Sequence, residues 1–227
     1  MINLSHVTKS FGLKTAVDDL SLSAVEGDII GFVGPNGAGK TTTLRLISGY
    51  LAPTKGTVTL FGQDPIKKRL SVLPRIGYLP ENNPLPLDMK VREYLEFVAE
   101  VKKEKNLDAI IKELHITDVV EKHIEHVSRG YRQRVGLAAA LCGKPDTLLL
   151  DEPTSGLDPI EQDVIKNLIT KLSKKRTVIF STHILSEIED VATRLLIIHG
   201  GKCMYDGKKP KGKGSVETLF KKLIKKS

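Results

Sequence analysis

Short apolar runs alternate along the chain with longer stretches in which apolar residues recur every three or four positions, and these two periods separate strands from helices. Apolar runs at 2–7, 20–25, 29–33, 58–61, 76–79, 148–150, 178–180 and 195–198 predict strands. Several are unbroken β-branched or leucine runs, the composition of a parallel sheet covered on both faces. After Pro80 the pattern turns helical. "VREYLEFVAEV" and "LDAIIKELHI" carry apolar residues at helical spacing and predict a helical insertion at about 82–142 between two sheet strands. "SVETLFKKLIKK" predicts a terminal amphipathic helix, with Ser215 as N-cap and Val216, Leu219, Phe220, Leu223 and Ile224 along one face. "KKPKGKG" before it reads as a linker. The alternation predicts an α/β domain over 1–207, followed by a basic linker and helix at 208–227.

The length of 227 residues fits one large domain with a subdomain. The net charge of +8 suggests nucleic acid until it is located: nine lysines stand against two acids from Lys202 onward, so the rest of the chain is near neutral. A solvated tail is the common meaning of such a run, and contact with an anionic membrane surface is the alternative. Cys142 and Cys203 have neither metal-ligand nor redox spacing, which fits a reducing cytoplasm. The sequence shows no signal-peptide pattern, and no apolar run approaches the ~18 residues of a membrane helix.

"GPNGAGKT" fits G-x-x-x-x-G-K-[ST], entered from the buried strand "IIGFV" and left through the helical "TTTLRLIS". Glycines let backbone N–H groups turn inward around a phosphate, and the helix N-terminus adds positive potential. Gly34, Pro35, Asn36, Gly37, Ala38, Gly39, Lys40, Thr41 and Thr42 are therefore the expected phosphate cradle. In that cradle Lys40 reaches the β- and γ-phosphates and Thr41 holds Mg²⁺. A second acidic site supports the first, because "TLLLDEP" places Asp151 and Glu152 at the end of an apolar strand. Two carboxylates beside a triphosphate repel it by about 4 kcal/mol per charge pair at ~4 Å and an effective dielectric of ~20. Asp151 is therefore expected to partner Mg²⁺, and Glu152 to polarise the attacking water.

With these motifs the chain resembles the ATP-binding subunit of an ATP-binding cassette (ABC) transporter over nearly its whole length. "GPNGAGKT" matches Walker A and "LLLDEP" Walker B; "SGLD" resembles the D-loop, "STH" places His183 at the switch histidine, and Phe11 in "KSFG" matches the aromatic that stacks on adenine. "VSRGYRQR" aligns with the family signature, keeping Ser128 and Gly130 but with Val127, Arg129 and Tyr131 where Leu, Gly and Gln are usual. The resemblance implies the P-loop NTPase ABC-ATPase fold with an antiparallel β subdomain and a helical subdomain, and an ATPase that uses ATP and Mg²⁺. It also implies that Ser128 and Gly130 meet the γ-phosphate bound by a second ATP-binding subunit, so that one chain carries two half-sites. Isolated, His183 reads as structural and Phe11 as core; their motif positions give them these roles.

Glu81 stands where the family usually carries Gln, and the resemblance makes it a Mg²⁺ and coupling residue; its bland reading is an exposed loop acid. "ENNPLPLDM" offers Leu85, Leu87 and Met89 between prolines, a groove for a helix of a membrane permease subunit or, alternatively, a cap on the helical insertion. "GYLPENNPLPLDMKVREYL" and the R-G-Y signature resemble exporter-type subunits, nearest to the gliding-motility-associated ATP-binding subunit. The resulting expectation is a peripheral ATPase on the cytoplasmic face of the inner membrane, driving a permease, with no nucleic-acid partner. The competing class is a soluble ABC ATPase acting on nucleic acid or in an assembly machine. The stretch between Lys40 and Asp151 carries no sustained heptads, which argues against a chromosome-type head.

Overall fold

The computed structural model describes residues 1–225; Lys226 and Ser227, the end of the predicted tail, lie outside the described residues. Strands β1 (Ile2–Phe11) and β2 (Lys14–Ala24) pair antiparallel. Strand β3 (Ile29–Val33) leads into α1 (Lys40–Ile47), and β4 (Lys55–Leu60) returns to the other edge of β1. The short α2 (Arg69–Val72) precedes β5 (Ile76–Leu79). Helices α3 (Val91–Val101), α4 (Leu107–Glu113) and α5 (Arg129–Leu141) follow. The chain then runs through β6 (Thr147–Asp151), α6 (Pro159–Leu172), β7 (Thr177–Thr182), α7 (Leu185–Val191), β8 (Arg194–His199), β9 (Lys202–Lys208) and α8 (Ser215–Ile224).

Two sheets result: a three-stranded antiparallel sheet in the order β2-β1-β4 and a six-stranded sheet in the order β5-β6-β7-β3-β8-β9. All neighbours in the larger sheet are parallel except the β8–β9 hairpin. Its strands alternate between two cores. Leu148, Leu150, Val178, Phe180, Leu195 and Ile197 pack towards the helical segment, α6 and α7. Phe32, Leu149, Ile179, Leu196 and Ile198 pack towards α1 and the antiparallel sheet. Both faces are covered, which is why these strands read as continuous apolar runs. Parallel alignment brings the carboxyl ends of β3, β6 and β7 to one edge, the place where open α/β sheets gather ligand groups.

Strands β3 and β5 occupy the predicted positions, but β1 and β2 run further because their exposed face alternates with polar residues. Strand β9 lies in a stretch read only as basic chain. Its sequence, KCMYDGK, lacks an apolar run, and pairing to β8 through Gly200 and Gly201 makes it a strand. Ser215 is not the N-cap of the last helix. Gly214, at φ 77°, takes that place, and Ser215 Oγ instead hydrogen-bonds the carbonyls of Pro210 and Gly212. The predicted apolar face of α8 packs against the core next to α7, with Val216 fully buried. Of the two readings of the loop, Leu85 follows the cap: it is buried in the core of the helical segment, while Met89 is half-buried and Leu87, 47 % exposed, is the leucine this loop offers to solvent.

Candidate active site

The loop from β3 to α1 turns back on itself under glycine control. Gly39 has a φ of 109°, and a Cβ there would collide with the Ala16 carbonyl; a Cβ on Gly34 would collide with the carbonyl of Ile198. The loop thus hugs β2 and β8, and α1 starts at Lys40 with its free N–H groups aimed into a cleft of about 500 Å³. Residues Pro35 to Thr42 line one side of it; Phe11, Lys14 and Ala16 belong to the antiparallel sheet, while Glu81, Glu152, Ser155 and His183 come from the loops after β5, β6 and β7.

Lys40 is buried at 6 % exposure, and its ammonium donates to the carbonyls of Gly34 (2.7 Å) and Pro35 (3.4 Å). It also sits 3.3 Å from Glu152 Oε1, while Glu152 Oε2 lies 2.8 Å from His183 Nδ1. The predicted lysine, general base and switch histidine thus form one row, joined by an ion pair from Lys40 to Glu152 and a hydrogen bond between Glu152 and His183. Glu152 holds a left-handed backbone, φ 49°, which costs a non-glycine residue on the order of 1–3 kcal/mol. Its N–H is held by Ser181, through Oγ at 2.9 Å and the carbonyl at 3.2 Å, so the strained turn is tied to β7.

Asp151 is 1 % exposed, and its Oδ1 accepts from Ser181 Oγ (2.6 Å) and Thr41 Oγ1 (3.1 Å). Its Oδ2 is buried with no hydrogen-bond partner among the described residues. An orphaned buried carboxylate oxygen costs about 1–3 kcal/mol or more unless a cation or water meets it. Beside the Thr41 hydroxyl, this is a donor set that fits Mg²⁺. Tyr78, on the neighbouring strand, has its phenol pKa raised, first by burial and then by the Asp151 carboxylate.

Glu81 is exposed at the rim of the cleft. Phe11 also lines the cleft and is half exposed, with the Lys9 ammonium 5.0 Å from its ring centroid, so the ring is open for stacking rather than part of the core. Ser128 and Gly130 do not line this cleft. Ser128 is the N-cap of α5, accepting from the Tyr131 N–H at 3.3 Å, and is exposed. Gly130 packs against the Glu161 carboxylate of α6, and the Arg129 guanidinium lies over Gly156 of the D-loop segment.

Several residues were not singled out by their sequence. Ser181 lies beside Asp151 only through the β6–β7 register, although it heads the recognised "STH". Lys14 and Ala16 join the cleft through the β1–β2 hairpin, and nothing in their own stretch marks them.

Residues 17–155 match the ABC transporter family. The chain is 38 % identical over 209 residues to the bacitracin transport ATP-binding protein BcrA of Bacillus licheniformis, covering 90 % of this chain and 68 % of that protein. It is 36 % identical to the Nod factor export ATP-binding protein I of Paraburkholderia xenovorans, covering 91 % and 70 % of the two chains. The fold is shared with a dimeric ATP-binding cassette solved in a post-hydrolysis state with ADP and Pi, at a TM-score of 0.85 and 23 % identity, over 93 % of this chain and all of that one. A phosphate loop, an acid pair and a histidine meeting at one sheet edge, in a chain so related, place this protein in the ABC transporter family as an ATP-binding subunit that hydrolyses ATP.

Proposed function

We propose that two ATP-binding subunits close on two ATP molecules, each γ-phosphate lying between the phosphate loop of one and Ser128 and Gly130 of the other, and that hydrolysis reopens them to drive a membrane permease. The observation that carries this reading is the separation of the two half-sites within one chain. Lys40, Glu152 and His183 meet in the cleft, while Ser128 stands exposed at the start of α5 outside it. The Ser128 hydroxyl accepts from Tyr131, and its own hydrogen has no acceptor among the described residues, which leaves it free to donate to a phosphate.

Lys40 leaves the loop carbonyls for the β- and γ-phosphates, and the inward N–H groups of the loop neutralise charge as it develops. Glu152 takes the proton of the attacking water, and His183, hydrogen-bonded to it, orients the pair against the γ-phosphate. Thr41 and Asp151, with Glu81 at the rim, would hold Mg²⁺, which would supply charge neutralisation for the phosphates. Phe11 stacks on the adenine.

The finer assignments rest on particular stretches. An exporter-type subunit agrees with the Nod factor export relative, and the likeness to the gliding-motility-associated subunit rests on the stretch from Gly77 to Leu95. The ATPase domain is taken as 1–207, with the helical insertion at about 82–142 and a tail at 208–227. On this reading the subunit sits peripherally on the cytoplasmic face of the inner membrane and docks to the permease through Glu81 to Met89; none of the described helices is long and apolar enough to cross a membrane.

Mixing two inactive variants tests the shared site in a homodimer. Lys40→Ala removes the cleft and Ser128→Arg the donated half-site, yet a mixed dimer retains one intact site. Each variant alone should be inactive and the mixture should recover ATPase activity. Wild-type turnover by Ser128→Arg alone refutes the composite site, and wild-type turnover by Lys40→Ala alone refutes the phosphate-loop assignment.

A further inference from the structure

Helix α7 carries a carboxylate that the proposed chemistry does not use. Glu187 is buried at 3 % exposure and, among the described residues, makes no ion pair. Instead it accepts two short hydrogen bonds, from Thr154 Oγ1 to Oε1 (2.5 Å) and from Thr182 Oγ1 to Oε2 (2.6 Å). Thr154 stands two residues after Glu152, and Thr182 immediately precedes His183. The two oxygens of one carboxylate therefore join the turn that carries the general base to the strand end that carries the switch histidine.

The surroundings make this link stiff. Gly31 of β3 lets Ile188 lie directly on the sheet, where a Cβ would collide with its Cδ1, so α7 is packed close against β3. Thr182 Oγ1 also accepts from the Ile184 N–H at 3.0 Å, fixing the backbone on both sides of His183. On the other segment, the Leu157 N–H bonds the Thr154 carbonyl at 3.2 Å and the Ser155 N–H that of Glu152 at 3.1 Å. The left-handed backbone at Glu152 needs surroundings that hold it. Ser181 supplies one restraint from β7 and Glu187, through Thr154, a second.

We propose that Glu187 is a positioning residue for hydrolysis: by gripping Thr154 and Thr182 together it sets Glu152 against His183. It touches neither nucleotide nor water in this proposal, which rests on the roles given above to Glu152 and His183. A carboxylate suits the task because it presents one oxygen to each threonine, so both hydroxyls are held in one orientation. An amide offers one acceptor oxygen and leaves one hydroxyl facing a donor.

The test uses the full chain and follows kcat and KM for ATP, binding of a fluorescent ATP analogue, and thermal melting. Glu187→Gln should lower kcat by about 10- to 100-fold, the scale of a misplaced catalytic group, while analogue binding and KM change less than about twofold. Thr154→Val and Thr182→Val should each reduce kcat, whereas Thr154→Ser and Thr182→Ser, which keep the hydroxyl, should restore it. Thr182→Val combined with Glu187→Gln should lose little more than either alone. Wild-type kcat in folded Glu187→Gln overturns the proposal, as does a loss that only tracks a lower melting temperature or appears as a raised KM. Should Glu187→Gln not fold, the threonine series decides: equal kcat for the valine and serine variants overturns it. Glu152→Gln, measured alongside, keeps the two readings apart. Wild-type hydrolysis by that variant removes the base assignment itself, whereas an inactive Glu152→Gln beside a fully active Glu187→Gln removes only the positioning role.

Discussion

Replacing Glu152 by Gln should lower stability without nucleotide and raise it with nucleotide. The carboxylate is buried beside Lys40 at 3.3 Å, where Coulomb attraction is about 5 kcal/mol at an effective dielectric of about 20. The net loss is smaller, because Gln keeps an acceptor oxygen and Lys40 keeps its 2.7 Å bond to Gly34. Trading a charged acceptor for a neutral one leaves a loss of about 2 kcal/mol. In a chain of this size that lowers the melting temperature by about 4–8 °C. With Mg²⁺ and ATP the sign reverses. The variant no longer sets a negative charge against the γ-phosphate and no longer consumes its ligand, and saturation at about 100 times Kd contributes about 2.7 kcal/mol. Thermal melts of wild type and Glu152→Gln, each without nucleotide and with Mg²⁺ and ATP, read both signs, and phosphate release reads turnover. A variant that melts at or above wild type without nucleotide refutes the buried pair, and one that hydrolyses ATP at the wild-type rate refutes the base.

A Cys at Leu87 should crosslink to the permease in native membranes while one at Leu85, buried in the core, should not; no crosslink from Leu87 counts against docking at this loop. Gly39→Ala should be destabilised by about 1–3 kcal/mol and lose nucleotide binding, since at φ 109° its methyl meets the Ala16 carbonyl; unchanged ATP affinity would show that the loop tolerates opening. Burial pushes the Cys142 thiol up to about 11, so at pH 8 about a thousandth is thiolate, and iodoacetamide should label it far more slowly in the folded chain than in urea. The same shift favours the neutral thiol in the folded state; its contribution is complete below the ordinary thiol pKa and declines as pH rises towards 11. Cys142→Ala should therefore flatten the fall in stability above pH 9.

Sequence pattern located the parts of the site whose chemistry is contiguous. "GPNGAGKT" carries its glycines, lysine and threonine within eight residues, and β3 and β6, buried on both faces, announce themselves as apolar runs that lead to Lys40 and Asp151. What stayed hidden depends on register. Ser181 faces Asp151, and Glu187 reaches Thr154, only because β6 and β7 align in parallel and α7 folds back on β3. Periodicity also leaves open residues whose environment is set by distant chain. Leu85, in a proline-rich polar stretch, fits a surface groove or a cap on the insertion until the helical segment is seen to cover it, and β9 is made a strand by its neighbour β8 rather than by its own composition.

The arginines of "VSRGYRQR" show why local charge misleads. Arg132 donates to the carbonyls of Ile124 and Glu125, and so pins the loop that delivers the chain to Ser128. Arg134, 6 % exposed, donates to the His115 carbonyl and to Glu161, and lies 4.1 Å from the Tyr131 ring, whose hydroxyl in turn bonds Asp118. Arg129 rests on Gly156. Each guanidinium therefore has an intramolecular partner, and two of them bind the start of α5 to the segment that follows Glu152. Glu161 continues the connection, because its N–H is held by Asp158 Oδ1 at 3.0 Å at the start of α6. Ser128, proposed to meet a second nucleotide, and the turn that carries Glu152, the proposed base, are thus linked through the contacts of Arg129 with Gly156 and of Arg134 with Glu161. A displacement of Ser128 together with α5 carries Arg134, whose guanidinium is buried, away from the partly exposed carboxylate of Glu161, so the start of α5 and the segment after Glu152 are coupled through that 3.2 Å pair.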